Sequence, residues 1–188
     1  MIIYIATLLY LYFFCLLLAF LEVQIEGKAG WAKNLPAWKP SSNSWYSSLY
    51  SRIMKGKELT GYHVGMFSLV LFVLHGFFFW NGEWSFLLEL QVLSHFFLVS
   101  VVWDFLWFVI NPAYGWSKFK PIHIAWHKSW LGPWPLDYYY GIVIAAVLYA
   151  FSYNAFLVGL WEWLKIFLVF FVLTIITVLV RYFFDKRS

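Results

Sequence analysis

Residues 84–112, WSFLLELQVLSHFFLVSVVWDFLWFVINP, decide the fold class of this chain. The apolar part of this stretch is long enough to cross a bilayer, because a membrane-spanning helix needs about 20 apolar residues. Asn111-Pro112 ends the helix, since the residue before a proline avoids the helical conformation. Asn81-Gly82 is a tight-turn sequence, so the stretch is predicted to form an antiparallel hairpin with the apolar run before it.

The composition of the whole chain agrees with a membrane location. Of 188 residues, 63% are hydrophobic and only 12% are charged, whereas a soluble domain is about 45–50% apolar and about 25% charged. A water-soluble fold of this size could not cover so much apolar surface with so few charges. A soluble enzyme, a disordered chain and a disulfide-stapled secreted domain are therefore excluded, and Cys15 has no second cysteine to pair with.

Hydropathy predicts an all-α integral membrane protein with five transmembrane helices in a single domain, 1–188. The spans are expected at about residues 2–21, 59–80, 84–110, 138–158 and 164–184. Two segments, 23–57 and 112–136, are expected to lie at the membrane surface, where tryptophan and lysine side chains suit the headgroup layer. A short interfacial helix is predicted over Pro121–Leu131, with a proline at its start and Gly132-Pro133 at its end.

The basic residues support this count of spans. With five spans, two loops and the C-terminal tail lie on one side of the membrane, and they contain every basic residue except Lys165: Lys28, Lys33, Lys39, Arg52, Lys55, Lys57, Lys118, Lys120, Lys128, Arg181, Lys186 and Arg187. By the positive-inside rule, the N-terminus is expected outside and the C-terminus in the cytoplasm. Because the charges follow the topology, no nucleic-acid partner is expected.

Two pairs of ionisable residues are spaced four apart, so each pair shares one face of a helix. His123 and His127 could hold one metal ion, or could be two interfacial histidines bonded to headgroups or carbonyl groups. Glu22 and Glu26 fall at the end of the first span, where the helix dipole disfavours a carboxylate. A lysine or a metal ion is expected to compensate them.

Three further polar residues belong at the same depth. His63 lies about one turn inside the second span, and Asp104 lies within the apolar part of the third span, with Asn111 two turns beyond it. A carboxylate in the apolar layer needs a partner. That partner is either a metal ion or a hydrogen-bonding side chain such as Tyr62 or His63.

These residues together predict a metal centre at the cytoplasmic face. Mixed imidazole and carboxylate ligands suit one or two ions of iron, zinc or manganese, and the expected ligands are His63, His123, His127, Asp104, Glu22 and Glu26. Asp104, Glu26 and Asn111 are the expected catalytic residues. The predicted function is a metal-dependent membrane enzyme acting on a lipid or other apolar substrate, with oxidative, di-iron-like chemistry favoured over hydrolysis.

Two alternatives stay open at this point. The chain could be a non-catalytic subunit or scaffold of a larger membrane complex, or an oligomer, packing its helices against those of a partner. A weaker alternative is a haem or pigment carrier using His75 and His95. Against a haem, these histidines differ in depth, and a hydrogen bond between a histidine and Glu89 within the hairpin is expected instead.

Overall fold

A computed structural model describes residues 2–30, 32, 34–41, 43–54, 56–115 and 118–186 of the chain. Across these residues the fold is mainly helical, with one short β-hairpin. The elements are α1 (Ile2–Glu26), α2 (Trp45–Ile53), α3 (Gly61–Asn81), α4 (Phe86–Ile110), β1 (Trp130–Leu131), β2 (Trp134–Pro135), α5 (Leu136–Phe151) and α6 (Phe156–Asp185).

Four of these helices, α1, α3, α4 and α6, are long and apolar enough to cross a membrane. Helix α5 is also apolar but has only 16 residues. At a rise of 1.5 Å per residue it is about 24 Å long, somewhat shorter than the hydrocarbon layer of about 30 Å. The prediction of a mainly helical chain is therefore confirmed, with four helices long and apolar enough to span a membrane.

The turn between α3 and α4 forms where the sequence predicts it. Gly82 ends α3 with a φ of 67°, the left-handed conformation that glycine adopts most readily. Ser85 then caps α4, its side chain accepting a hydrogen bond from the Leu88 N–H at 3.2 Å. Asn111 ends α4, as expected from the proline that follows it.

Helix α4 is the centre of the bundle. It packs against α1 and α5 over most of its length, and also against α3 and α6. Large side chains from its second half, among them Leu106 and Phe108, are fully buried. Helix α3, by contrast, makes only a small contact with the bundle, mainly with α4, so space remains beside it at the end of the bundle where α3 begins.

The predicted interfacial helix over Pro121–Leu131 is wrong. In the described part of this segment the chain forms turns and an antiparallel hairpin, with Trp130 opposite Pro135. The reason is tertiary packing, because the aromatic side chains dock onto α4 and not onto a bilayer surface. Trp126 stacks on Phe108 with ring centroids 5.8 Å apart. The short surface helix lies instead in the first loop, as α2.

The predicted boundary between the fourth and fifth spans is also wrong. Helix α5 ends at Phe151 and α6 begins at Phe156, so the turn comes earlier than the predicted loop after residue 158. Gly159, which lies between the two predicted spans, is helical. This glycine permits close packing of α6 on α5, because a Cβ there would lie 2.7 Å from the Ala150 carbonyl oxygen. The first helix also runs past residue 21, to Glu26.

Replacing Gly159 with alanine tests this close contact. The new methyl group would meet the Ala150 backbone, which cannot move aside as a side chain can, so Gly159→Ala should destabilise the protein by about 1–3 kcal/mol. Gly65→Ala in α3 is the control, since a Cβ there meets nothing within 4 Å. Thermal unfolding in mild detergent should show a lowered midpoint for Gly159→Ala alone, and equal midpoints would contradict the packing of α5 on α6.

Candidate functional site

Four helix ends meet around a cavity of about 380 Å³. These are the C-terminal ends of α1 and α4 and the N-terminal ends of α3 and α5, which lie at the same end of the bundle because these helices alternate in direction. Polar side chains gather at this end of the cavity, and they are Glu22, Glu26, Lys57, Tyr62, His63, Asp104, His127, Asp137 and Tyr138. The remaining wall is mostly apolar.

His127 lies between two carboxylates. Its Nε2 is 3.2 Å from Asp104 Oδ2, and its Nδ1 is 3.4 Å from Asp137 Oδ2. Burial disfavours the imidazolium, but the two carboxylates outweigh this effect and raise the pKa of His127 above its usual value. The raised pKa favours the imidazolium form, which can donate one N–H to each carboxylate.

The contacts extend outward from both carboxylates. The Tyr138 hydroxyl donates a short hydrogen bond to Asp104, and the buried Lys57 Nζ lies 3.5 Å from Asp137 Oδ2. We call these five residues the His127 network. Buried charges are tolerated only when they are paired and hydrogen-bonded, so each member depends on its neighbours.

The backbone segment before the β-hairpin positions His127 between the two carboxylates. The Trp130 indole N–H donates to the His127 carbonyl oxygen at 2.8 Å. The Leu136 N–H donates to the Ser129 carbonyl oxygen at 2.8 Å and closes the hairpin against α5. Rings of Phe108 and Tyr138 flank the imidazole. An irregular segment thus places a buried histidine where a surface helix could not.

The opposite wall of the polar end comes from α1 and α3. His63 is buried, and its Nδ1 lies 2.8 Å from the Thr60 hydroxyl at the start of α3. Glu26 accepts a short hydrogen bond from the Ala32 backbone N–H. The Tyr62 hydroxyl and the Trp103 indole N–H face Glu22, but neither makes a hydrogen bond of normal geometry.

The structure brings five of the predicted site residues into this one cavity: Glu22, Glu26, His63, Asp104 and His127. Two others lie elsewhere. His123 is exposed, because the segment is not helical and the two histidines do not share a face. Asn111 is buried away from the cavity, where its Nδ2 donates to the Gly27 carbonyl oxygen at 2.7 Å and its Oδ1 accepts from the Ala113 N–H.

Sequence reasoning missed Lys57, Asp137 and Tyr138. Lys57 lies two residues before the second predicted span, and Asp137 lies one residue before the fourth. Charges at these positions are commonly exposed to water, so neither was expected inside the bundle. The sequence did indicate that Lys57 and Asp137 could be close together, because both lie beside predicted span ends at the same predicted membrane face.

The residues of this site do not readily fit a metal ion. Among the described residues, no group of three or more His, Cys, Asp or Glu side chains is placed to hold one. Both ring nitrogens of His127 face carboxylates, so neither presents a lone pair in this arrangement. The predicted iron, zinc or manganese centre stays a prediction.

The remaining histidines are engaged separately. His75 Nε2 lies 2.9 Å from Glu89 Oε1, which is the histidine–glutamate contact expected within the hairpin. His95 Nδ1 donates to the Gln91 carbonyl oxygen at 2.7 Å, and its ring packs edge-on against Tyr149. The two histidines therefore have different partners, and the haem alternative gains no support from their contacts.

Comparison with known proteins adds no functional information. No protein-family model matches the chain, and neither a curated protein nor a solved structure is significantly similar to it. The functional interpretation therefore depends on the cavity and the side chains that line it.

The raised pKa of His127 predicts a pH-dependent contribution to stability. This contribution is fully present below the unfolded-state pKa of about 6.5 and is lost as the pH rises through the higher folded-state pKa. The difference in unfolding midpoint between wild type and His127→Gln should therefore shrink as the pH rises above about 6.5. His123→Gln, which changes an exposed histidine, should show no such trend. A wild-type advantage over His127→Gln that is constant with pH would contradict the contacts of His127 with the two carboxylates.

Proposed function

We propose that the chain is an integral membrane enzyme that acts on a lipid or other apolar substrate. The observation that carries this proposal is the cavity itself, which joins a mostly apolar wall to one polar end. Pockets of this kind bind small molecules through apolar contact and orient them through a few polar groups. In the proposed enzyme, the substrate's tail lies against the apolar wall and its reacting group meets the His127 network.

The proposed chemistry is acid–base catalysis by His127 and Asp104. Asp137 holds Nδ1 of the imidazole and fixes the direction of the ring, while Nε2 points at Asp104. Tyr138 holds the Asp104 carboxylate in turn. Asp104 would accept a proton from the substrate, and His127 would then release its Nε2 proton to the substrate's polar group. The proton on Asp104 would return to Nε2 across their 3.2 Å contact and restore both groups. A positioned acid or base of this kind contributes about 10²–10⁴ to a rate.

We also propose five spans, with the polar end of the cavity at the cytoplasmic face. Helix α5 would be the additional span, the fourth in chain order, and the short hairpin beside it would complete the membrane crossing. The loop segments carrying Lys28, Lys39, Lys120 and Lys128 join helix ends at this same end of the bundle. The positive-inside rule assigns such an end to the cytoplasm.

A non-catalytic subunit is the alternative that must be separated from an enzyme. The His127 network supports that alternative as well, since every member has a partner within the protein and could serve packing alone. Oxidation or hydrolysis through a bound iron, zinc or manganese is a further proposal. It requires near-stoichiometric metal in the purified protein by elemental analysis, with the metal lost in His63→Ala.

A comparison of membrane lipids tests the enzyme directly. Mass spectrometry of host membranes should show at least one apolar compound whose amount changes when the wild-type chain is expressed. Asp104→Asn and Tyr138→Phe should each reduce that change by about 10²-fold or more, because each disturbs the proposed acid–base pair. His123→Gln should behave as wild type. Identical lipid profiles with and without the wild-type chain would favour the non-catalytic subunit.

A further inference from the structure

The cavity is elongated along the bundle axis. Its lining on α4 runs from Phe96 to Trp107, which at 1.5 Å per residue is about 16 Å. Away from the polar end, the lining is provided by apolar side chains such as Phe67 on α3, Val101 on α4 and Ile144 on α5. This shape suits a chain-like ligand lying parallel to the helices.

The cavity opens sideways between α3 and α5. Tyr140 and Ile144 line it, yet their exposed fractions are 54% and 41% on the outer surface of α5. Helix α3 makes a small contact with α4 and little or none with α5, so α3 and α5 leave a gap between them. In a bilayer, such a gap faces lipid chains and not water.

The size of the cavity limits what it can enclose. A volume of about 380 Å³ lies near the low end of the range of about 300–1,000 Å³ that is typical of small-molecule pockets. The narrow, elongated space therefore suits one hydrocarbon chain with a small head. A lipid with two chains would leave one of them outside the gap.

The charges at the polar end indicate the chemistry of the head. Among the described residues that line the cavity, four side chains are acidic, and they are Glu22, Glu26, Asp104 and Asp137. The basic side chains are one lysine, Lys57, and two histidines, His63 and His127. An anionic head would be repelled by these carboxylates when they are ionised, whereas a cationic head would be attracted to them.

Glu22 is the carboxylate best placed to receive that cation. Within the described part of the chain, the ion pairs do not include it. It also lies near the C-terminal end of α1, where the helix dipole disfavours a negative charge. The aromatic side chains of Tyr62, Trp103 and Trp107 line the same part of the cavity, and aromatic ring faces attract cations.

We propose that the cavity binds a single-chain amphiphile with a cationic head, which enters between α3 and α5 and places its head beside Glu22. This ligand would be the substrate class of the proposed enzyme, and only that identification rests on the proposed function. The apolar wall binds the chain and the acidic end selects the head.

Photocrosslinking tests this binding site. The probes are a long-chain alkyl amine with a diazirine in its chain and the fatty acid of the same length, each added to the purified full-length protein in mild detergent. We expect the amine to label residues lining the cavity, such as Met66 and Phe97, and to label them about tenfold more than the fatty acid does, which corresponds to about 1.4 kcal/mol. Glu22→Gln should remove this preference.

Two tryptophan substitutions on α5 provide a matched pair. Ile144→Trp should block the gap and reduce labelling by the amine. Val143→Trp should leave labelling unchanged, because Val143 is 58% exposed and does not line the cavity. Equal or stronger labelling by the fatty acid, or equal loss in both tryptophan variants, would overturn the inference.

The outcomes separate this inference from the proposed function. If the amine labels the cavity while lipid profiles do not respond to Asp104→Asn, the binding site stands and the enzyme fails. If lipid profiles respond to Asp104→Asn but the amine does not label the cavity, the enzyme stands and the cationic ligand is wrong.

Discussion

The position of one buried imidazole between two carboxylates holds together parts of the chain that are distant in sequence. His127 comes from the irregular segment before the hairpin, Asp104 from α4 and Asp137 from the start of α5. Lys57 reaches Asp137 from the segment before α3. His127 and Lys57 are buried, so removing a carboxylate takes a countercharge away from a buried basic side chain and destabilises the fold. These contacts, more than any local helix preference, fix the loops over the end of the bundle.

The cavity has a polar end and an apolar wall because of how the helices pack. Helix α4 is packed on several sides, whereas α3 is held mainly by α4, and the space beside α3 becomes the cavity. Its polar end is made where alternating helices bring their ends together, and its apolar wall continues between α3 and α5. A molecule with an apolar chain and a polar head is complementary to such a space, which is why we interpret it as a binding site and not as a packing defect.

The parts of the fold that depend on hydropathy and turn chemistry were predictable from sequence. The second and third spans begin and end within two residues of α3 and α4. The α5–α6 turn was predicted too late because apolar residues flank it on both sides, although Ser152 and Asn154 within it are turn-forming residues. For the site, sequence position placed Glu22, His63 and Asp104 at a common depth. It could not show that aromatic docking would separate His123 from His127, or that Lys57 and Asp137 would be drawn into the bundle.

A double-mutant cycle between Asp104→Asn and His127→Gln tests most directly whether the His127 network exists as described. The free energy of unfolding would be measured in mild detergent for wild type, both single variants and the double variant. Residues in direct contact within one polar network show coupling energies of about 0.5–3 kcal/mol. We therefore expect the double variant to be less destabilised than the sum of the two single variants by an amount in this range. Strict additivity would show that the imidazole and the carboxylate do not interact, and would contradict this account of the site.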